Sequence, residues 1–110
     1  RKMGYPVTLF EALPVLGGMM AVGIPPYRLD RNVLQKEISI IEKLGVEVKL
    51  NCRIGDHITI SGLRRDFAAV FIATGTKLSR SLSLAGSELE GVLWGMDFLR
   101  EVNLGRKIPM

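Results

Sequence analysis

The sequence predicts an α/β fold carrying a parallel sheet, and three of its features predict it. An amphipathic period covers residues 31–44 and stops at Gly45. Short β-type runs stand on both sides of that period, and a continuous apolar run further on ends at Thr74-Gly75. Strand, long connection containing a helix, strand is the order that parallel pairing needs, because a tight hairpin can join only antiparallel neighbours.

Taken in order, Val7-Thr8-Leu9-Phe10 reads as a strand stopping at Glu11. Pro14, Gly17, Gly18, Gly23, Pro25 and Pro26 then punctuate an apolar stretch, which predicts a packed loop, with Met19 and Met20 as candidate gap-fillers. Asp30 is the expected N-cap of the next element. Leu34, Ile38, Ile41 and Gly45 follow at intervals of 4, 3 and 4 residues, with Val33, Ile40 and Leu44 beside them. That spacing predicts a helix over 31–44 with Gly45 as its C′ stop, and Arg31 lies off the apolar stripe. Val46, Val48 and Leu50 alternate with Glu47 and Lys49 as a second strand. After Ile58-Thr59-Ile60 comes a short helix near Ser61–Asp66, then Ala68–Ala73 as a buried central strand. Residues 76–91 read as a polar loop, Gly91–Trp94 as a last short strand and Asp97–Asn103 as a last helix.

Composition sets limits on function. The 110 residues, 47% of them apolar, suffice for one domain or a piece of one. The net charge of +4 lies wholly in Arg1, Lys2, Arg106 and Lys107, and the remainder sums to zero, which argues against a nucleic-acid partner. Arg64-Arg65 reads as a solvated helix face. A single cysteine (Cys52) and a single histidine (His57) exclude an internal disulfide and a cysteine-cluster metal or iron–sulfur site. No serine or cysteine stands in a nucleophile-type context beside them, and no residue is assigned as a general acid, base or nucleophile. The uncharged stretch Ala12–Tyr27 holds three glycines and three prolines, so neither a membrane helix nor a signal peptide is expected. The expectation is a soluble, cytoplasmic protein. The chain opens without a methionine and runs at once into a strand, as a piece of a longer protein would.

The chemical signal is a strand ending in a carboxylate. Ligands of open parallel sheets sit at the carboxyl ends of the strands, where an acid can accept hydrogen bonds from ribose hydroxyls, and Glu11 is placed for that. No G-x-G-x-x-G is present; Gly17-Gly18 with Gly23 has the wrong spacing and no strand directly before it.

The runs Val7–Ala12, Gly17-Gly18-Met19 and Gly23–Leu29, continued by Leu44–Glu47, Ile54-Gly55 and Ala69–Gly75, strongly resemble one flavoprotein family. It comprises the small (beta) subunit of NADPH-dependent glutamate synthase and its relatives, among them the flavin domains of dihydropyrimidine dehydrogenase. The resemblance covers nearly the whole chain, and its most specific part is Gly17–Leu29. It implies a partial Rossmann-like domain lacking the first strand and its glycine-rich turn, so that residues 1–110 are a central piece of an FAD-binding domain and the NADPH domain begins beyond them. It implies FAD as cofactor, with NADPH and iron–sulfur clusters belonging to the parent protein. Hydride would pass from NADPH to FAD and on to a partner such as the glutamate synthase large subunit, or to another acceptor as in ferredoxin-linked and dihydropyrimidine-reducing relatives.

Carried over by position, Glu11 would bond the adenosine ribose of FAD, Gly17, Gly18 and Met19 would line the flavin, and Arg28 would contact the cofactor directly. Ile54 would touch the adenine end, and Thr74-Gly75 would close a strand beside the cofactor. Asp30 and Ala68 depart from the family's usual proline and aspartate. Alone, the piece is expected to be catalytically silent. A second reading is a non-catalytic binding domain that pairs as a homodimer through an open sheet edge.

Overall fold

Two three-residue strands pair in parallel, β1 (Thr8–Phe10) and β2 (Glu47–Lys49), in the register Thr8↔Glu47, Leu9↔Val48, Phe10↔Lys49. Cross-strand side chains reinforce that register. Thr8 Oγ1 donates to Glu47 Oε2 at 2.8 Å, and the Lys49 ammonium lies 5.6 Å from the centre of the Phe10 ring. The computed structural model describes residues 1–108. With the strands come α1 (Gly18–Val22), α2 (Arg31–Lys43), α3 (Ile60–Asp66) and α4 (Gly95–Asn103). The chain divides into two units, Arg1–Leu16 with Asn32–Ala73, and Gly17–Arg31 with Thr74–Met110.

The first unit holds the sheet, nearly all of α2, and α3. The predicted helix over 31–44 is found one residue shorter, and Gly45 takes the left-handed φ of +84° that stops it. Arg1 Nε donates to the Leu44 carbonyl at 3.1 Å, satisfying an acceptor the helix end leaves open. Thr59 caps α3, its hydroxyl accepting from the Gly62 amide at 3.0 Å. Leu34 of α2 and Leu63 of α3 are the buried residues here, and Phe10 meets Phe67 edge to face at 5.8 Å.

The second unit rests on α1 against α4, with Ala21 and Val22 buried. Ser79 organises the start of α4: its hydroxyl accepts from the Met96 amide at 3.2 Å and donates to Asp97. Arg100 pairs with Asp97 and donates to the Lys77 carbonyl.

Three expectations are corrected. Residues 12–27 are not all loop, because Met19, Met20 and Ala21 are good helix formers and close the short helix α1 between Gly17 and Gly23. Ala68–Ala73 is not a buried strand: no strand among the described residues pairs with it, and Phe71 and Ile72 are 91% and 69% exposed. Residues 91–94 likewise form no strand, the helix that follows starting at Gly95. Apolar sequence supplies the propensity for a strand, whereas a ladder needs a neighbour to receive its amides and carbonyls.

Candidate functional site

Glu11 and Ile54 stand at one end of the first unit. Because β1 and β2 are parallel, their carboxyl ends coincide, and the Glu11 backbone is fixed there by bonds from its amide to the Lys49 carbonyl and from the Cys52 amide to its own carbonyl, at 2.9 and 2.8 Å. The half-buried Glu11 side chain accepts at Oε1 from the Leu13 amide at 2.8 Å. Among the described residues nothing donates to its Oε2, which leaves an oriented acceptor at the strand end. Two residues past Cys52, Ile54 is half-buried and bridges to Ile58 across a turn in which the Gly55 amide donates to the Ile58 carbonyl at 2.8 Å.

The other six candidates belong to the second unit. Gly17 and Gly18 open α1 with φ of +107° and +50°, a left-handed pair that side chains resist, and a β-carbon on Gly18 would meet nothing within 4 Å. Met19 folds its thioether over Gly23, where an added β-carbon would collide with it, and stays 39% exposed. Arg28 is held by its amide, which donates to the Pro25 carbonyl at 2.9 Å, while its exposed guanidinium makes no ion pair or hydrogen bond among the described residues. Thr74 and Gly75 are exposed, Gly75 with φ of +66° and open space about its α-carbon.

An open hollow bordered by His57, Thr59, Ser61, Arg65 and Asp66 includes none of these eight residues. Its cation is spoken for, since Arg65 grips the Asp66 carboxylate with two bonds of 2.7 and 3.2 Å and holds that carboxyl below its ordinary pKa. No group of three or more His, Cys, Asp or Glu side chains able to hold a metal stands among the described residues. Among the described residues no helix is long and apolar enough to cross a membrane.

Comparison with known proteins shows what the chain is similar to. The chain is 52% identical over 105 residues to the NADP(+)-dependent formate dehydrogenase subunit beta of Moorella thermoacetica, a match covering 94% of this chain and 15% of that protein. It is 46% identical to the NADPH-Fe(3+) oxidoreductase subunit beta of Geobacter sulfurreducens, over 97% of this chain and 17% of that one. Against the glutamate synthase [NADPH] small chain of Bacillus subtilis the identity is 33%, over 89% and 20% of the two chains. By sequence this chain is a relative of the glutamate synthase small chains. No protein-family model matches it. It spans only 15–20% of the length of these oxidoreductase subunits.

Two polar residues with contacts in the second unit escaped the sequence reading. Arg31, which lies off the helical stripe, and Asn103, the last residue of α4, are both half-buried and hydrogen-bonded to the backbone around α1. Nothing in their spacing announces this, because both reach partners distant in sequence.

Proposed function

We propose that the chain forms part of a partial Rossmann-like, FAD-binding domain in an NADPH-dependent oxidoreductase, and that the whole protein passes hydride from NADPH to FAD and electrons onward to a partner. When bound, FAD supplies the two-electron to one-electron conversion that such a relay needs. The observation that carries the reading is the carboxylate ending β1: Glu11 keeps one oxygen on its own loop and presents the other without a partner among the described residues, an acceptor to which a ribose hydroxyl can donate. The kinship with NADPH-dependent subunits supports the same reading. Ile54, at the same end of the sheet, would pack on the adenine.

In the second unit the residues suit a flat, electron-rich ring. Gly17 and Gly18 offer bare backbone for close approach, Met19 a polarisable side chain, and Arg28 a cation with no ion pair among the described residues. Thr74 and Gly75 complete the set assigned to the cofactor. The onward acceptor follows from identity rather than from any residue: subunits named for formate and for ferric iron match more closely than the glutamate synthase small chain does. A separate electron-transfer subunit is therefore the favoured partner over a glutamate synthase large subunit.

Titrating the chain with FAD, and following amide shifts and Trp94 fluorescence, tests the assignment. The expected dissociation constant is weaker than about 10 μM, because no glycine-rich phosphate turn is present to bind the pyrophosphate. Binding is expected to vanish in the Glu11→Ala, Arg28→Ala double variant. A titration without saturable signal up to about 1 mM, a range that still covers the weakest specific ligands, overturns the assignment and leaves the non-catalytic binding domain standing. Tight binding of about 1 μM or better contradicts the argument from the missing turn.

A further inference from the structure

We infer that Arg31 and Asn103 are positioning residues whose side chains hold the Gly17–Met19 turn in the shape that receives the flavin; the ligand in this inference rests on the function proposed above. A helix of five residues cannot sustain itself, since nucleation consumes most of what its few hydrogen bonds return. Within α1 the Gly23 and Ile24 amides both converge on the Met19 carbonyl, at 2.8 and 3.2 Å, and the carbonyls beyond it need donors from elsewhere. Side chains from outside the helix provide them. The Arg31 guanidinium donates through Nη1 to the Met20 carbonyl at 2.9 Å and through Nη2 to the Ile24 carbonyl at 2.6 Å. Asn103 Nδ2 donates to the Val22 carbonyl at 2.9 Å.

The two donors are also joined to each other, Arg31 Nη2 donating to Asn103 Oδ1 at 2.9 Å. That bond fixes the amide orientation of Asn103, so that its nitrogen faces Val22. Three acceptors at and just past the carboxyl end of α1, the carbonyls of Met20, Val22 and Ile24, are thus served by one fork and one amide, the bonds to Val22 and Ile24 half-buried and the one to Met20 exposed. Gly17 and Gly18, at the other end of the same helix, have left-handed backbones that side chains resist. Their geometry is inherited from a helix that the clamp holds closed. Arg28 lies between the clamped Ile24 carbonyl and Arg31 itself, in the turn closed by its bond to Pro25, so the clamp fixes both ends of the segment bearing this cation.

Hydrogen exchange together with FAD titration tests this in Arg31→Met and in the milder Asn103→Leu, with Arg28→Met as a control that leaves the clamp intact. Exchange at the Gly23 and Ile24 amides is expected to rise at least tenfold in both clamp variants, while the Glu47 and Leu63 amides of the first unit keep their rates. General loss of stability would accelerate all four, and that result overturns the inference. FAD affinity is expected to fall at least tenfold in the clamp variants. In Arg28→Met it falls with no change in exchange, which separates contact from positioning. Unchanged exchange at Gly23 and Ile24 overturns the clamp. Raised exchange with unaltered FAD affinity overturns its role in positioning. If the unaltered chain binds no FAD, the proposed function fails by itself, and the exchange comparison alone then keeps or removes the clamp.

Discussion

Two regions of the first unit, the pair of short strands and the apolar run at 68–73, meet opposite fates. Thr8–Phe10 and Glu47–Lys49 are short and half polar, yet they pair, with a hydroxyl–carboxylate bond and a cation over a ring between directly opposed residues. Residues 68–73 are more apolar and take no place in a ladder; no hydrogen bond among the described residues reaches 68–76, and Phe71 is 91% exposed. Hydrophobicity selects what is worth burying, but pairing is decided by what stands alongside. In the paired region the crossover helix α2 delivers the neighbour.

The sharpest way to break this contrast is to truncate buried side chains on the helices of the first unit and an exposed one in the apolar run. Leu34 and Leu63, each 6% exposed, are expected to cost about 2–5 kcal/mol apiece as Leu34→Ala and Leu63→Ala. With so few buried residues, either variant is expected to show a much lower urea midpoint or to unfold without denaturant. Phe71→Ala should stay within about 0.5 kcal/mol of the unaltered chain, as exposed substitutions do. A comparable loss at Phe71 would mean that the run is covered in solution, for instance by a second copy, which light scattering on the same samples would reveal.

How far the sequence could be read follows the same division. The helix over 31–44, its glycine stop, the two strands beside it and the acid at the end of the first were legible because each is set by residues close together in the chain. The helix at 95–103 and the one at 60–66 were found within one or two residues for the same reason. Residues 68–73 were misjudged because a continuous apolar run reports burial preference and says nothing of the partner. At α1 the glycines and prolines hid a single helical turn whose support comes from Arg31 and Asn103, and the second of these lies 81 residues from the carbonyl it serves. Glu11 could be singled out from its place after a strand, whereas the bond that holds its Oε1 and leaves Oε2 without a donor among the described residues required the structure.

Backbone strain gives a smaller test. Gly45 and Gly75 both have positive φ, +84° and +66°, but only the first sits in a fixed frame, with its amide bonded to Glu42 and the Arg1 guanidinium 3.2 Å from where a β-carbon would lie. Gly45→Ala is expected to cost about 1–2 kcal/mol, the penalty of a left-handed L-residue. Gly75→Ala, in a segment free to relax, should cost less than half as much. Denaturation midpoints of the pair check this, and equal losses would show that the segment after the apolar run is held as firmly as the helix end.

The smallest effect is electrostatic and belongs to the paired strands alone. The Thr8 hydroxyl donating to Glu47, and then the Lys49 ammonium 3.4 Å from its other oxygen, hold the Glu47 carboxyl below its ordinary pKa. A carboxyl depressed on folding binds fewer protons in the native state than in the unfolded one. Its contribution to stability is therefore present above the unfolded pKa and lost as pH falls through the folded value. Because Glu47 is exposed, solvent screening keeps that contribution slight, and the titration itself is the better readout. Thr8→Val keeps the strand-forming shape and removes the donor, so the Glu47 carboxyl, followed by NMR, should titrate at higher pH than in the unaltered chain. Lys49→Met should move it the same way by less, and the shift should shrink with added salt in the unaltered chain and in Thr8→Val, where the Lys49 charge remains. An unmoved Glu47 titration in Thr8→Val would mean that Thr8 and Glu47 are not opposed in solution. The register of the only ladder among the described residues would then be wrong, and with it the shared strand end that places Glu11.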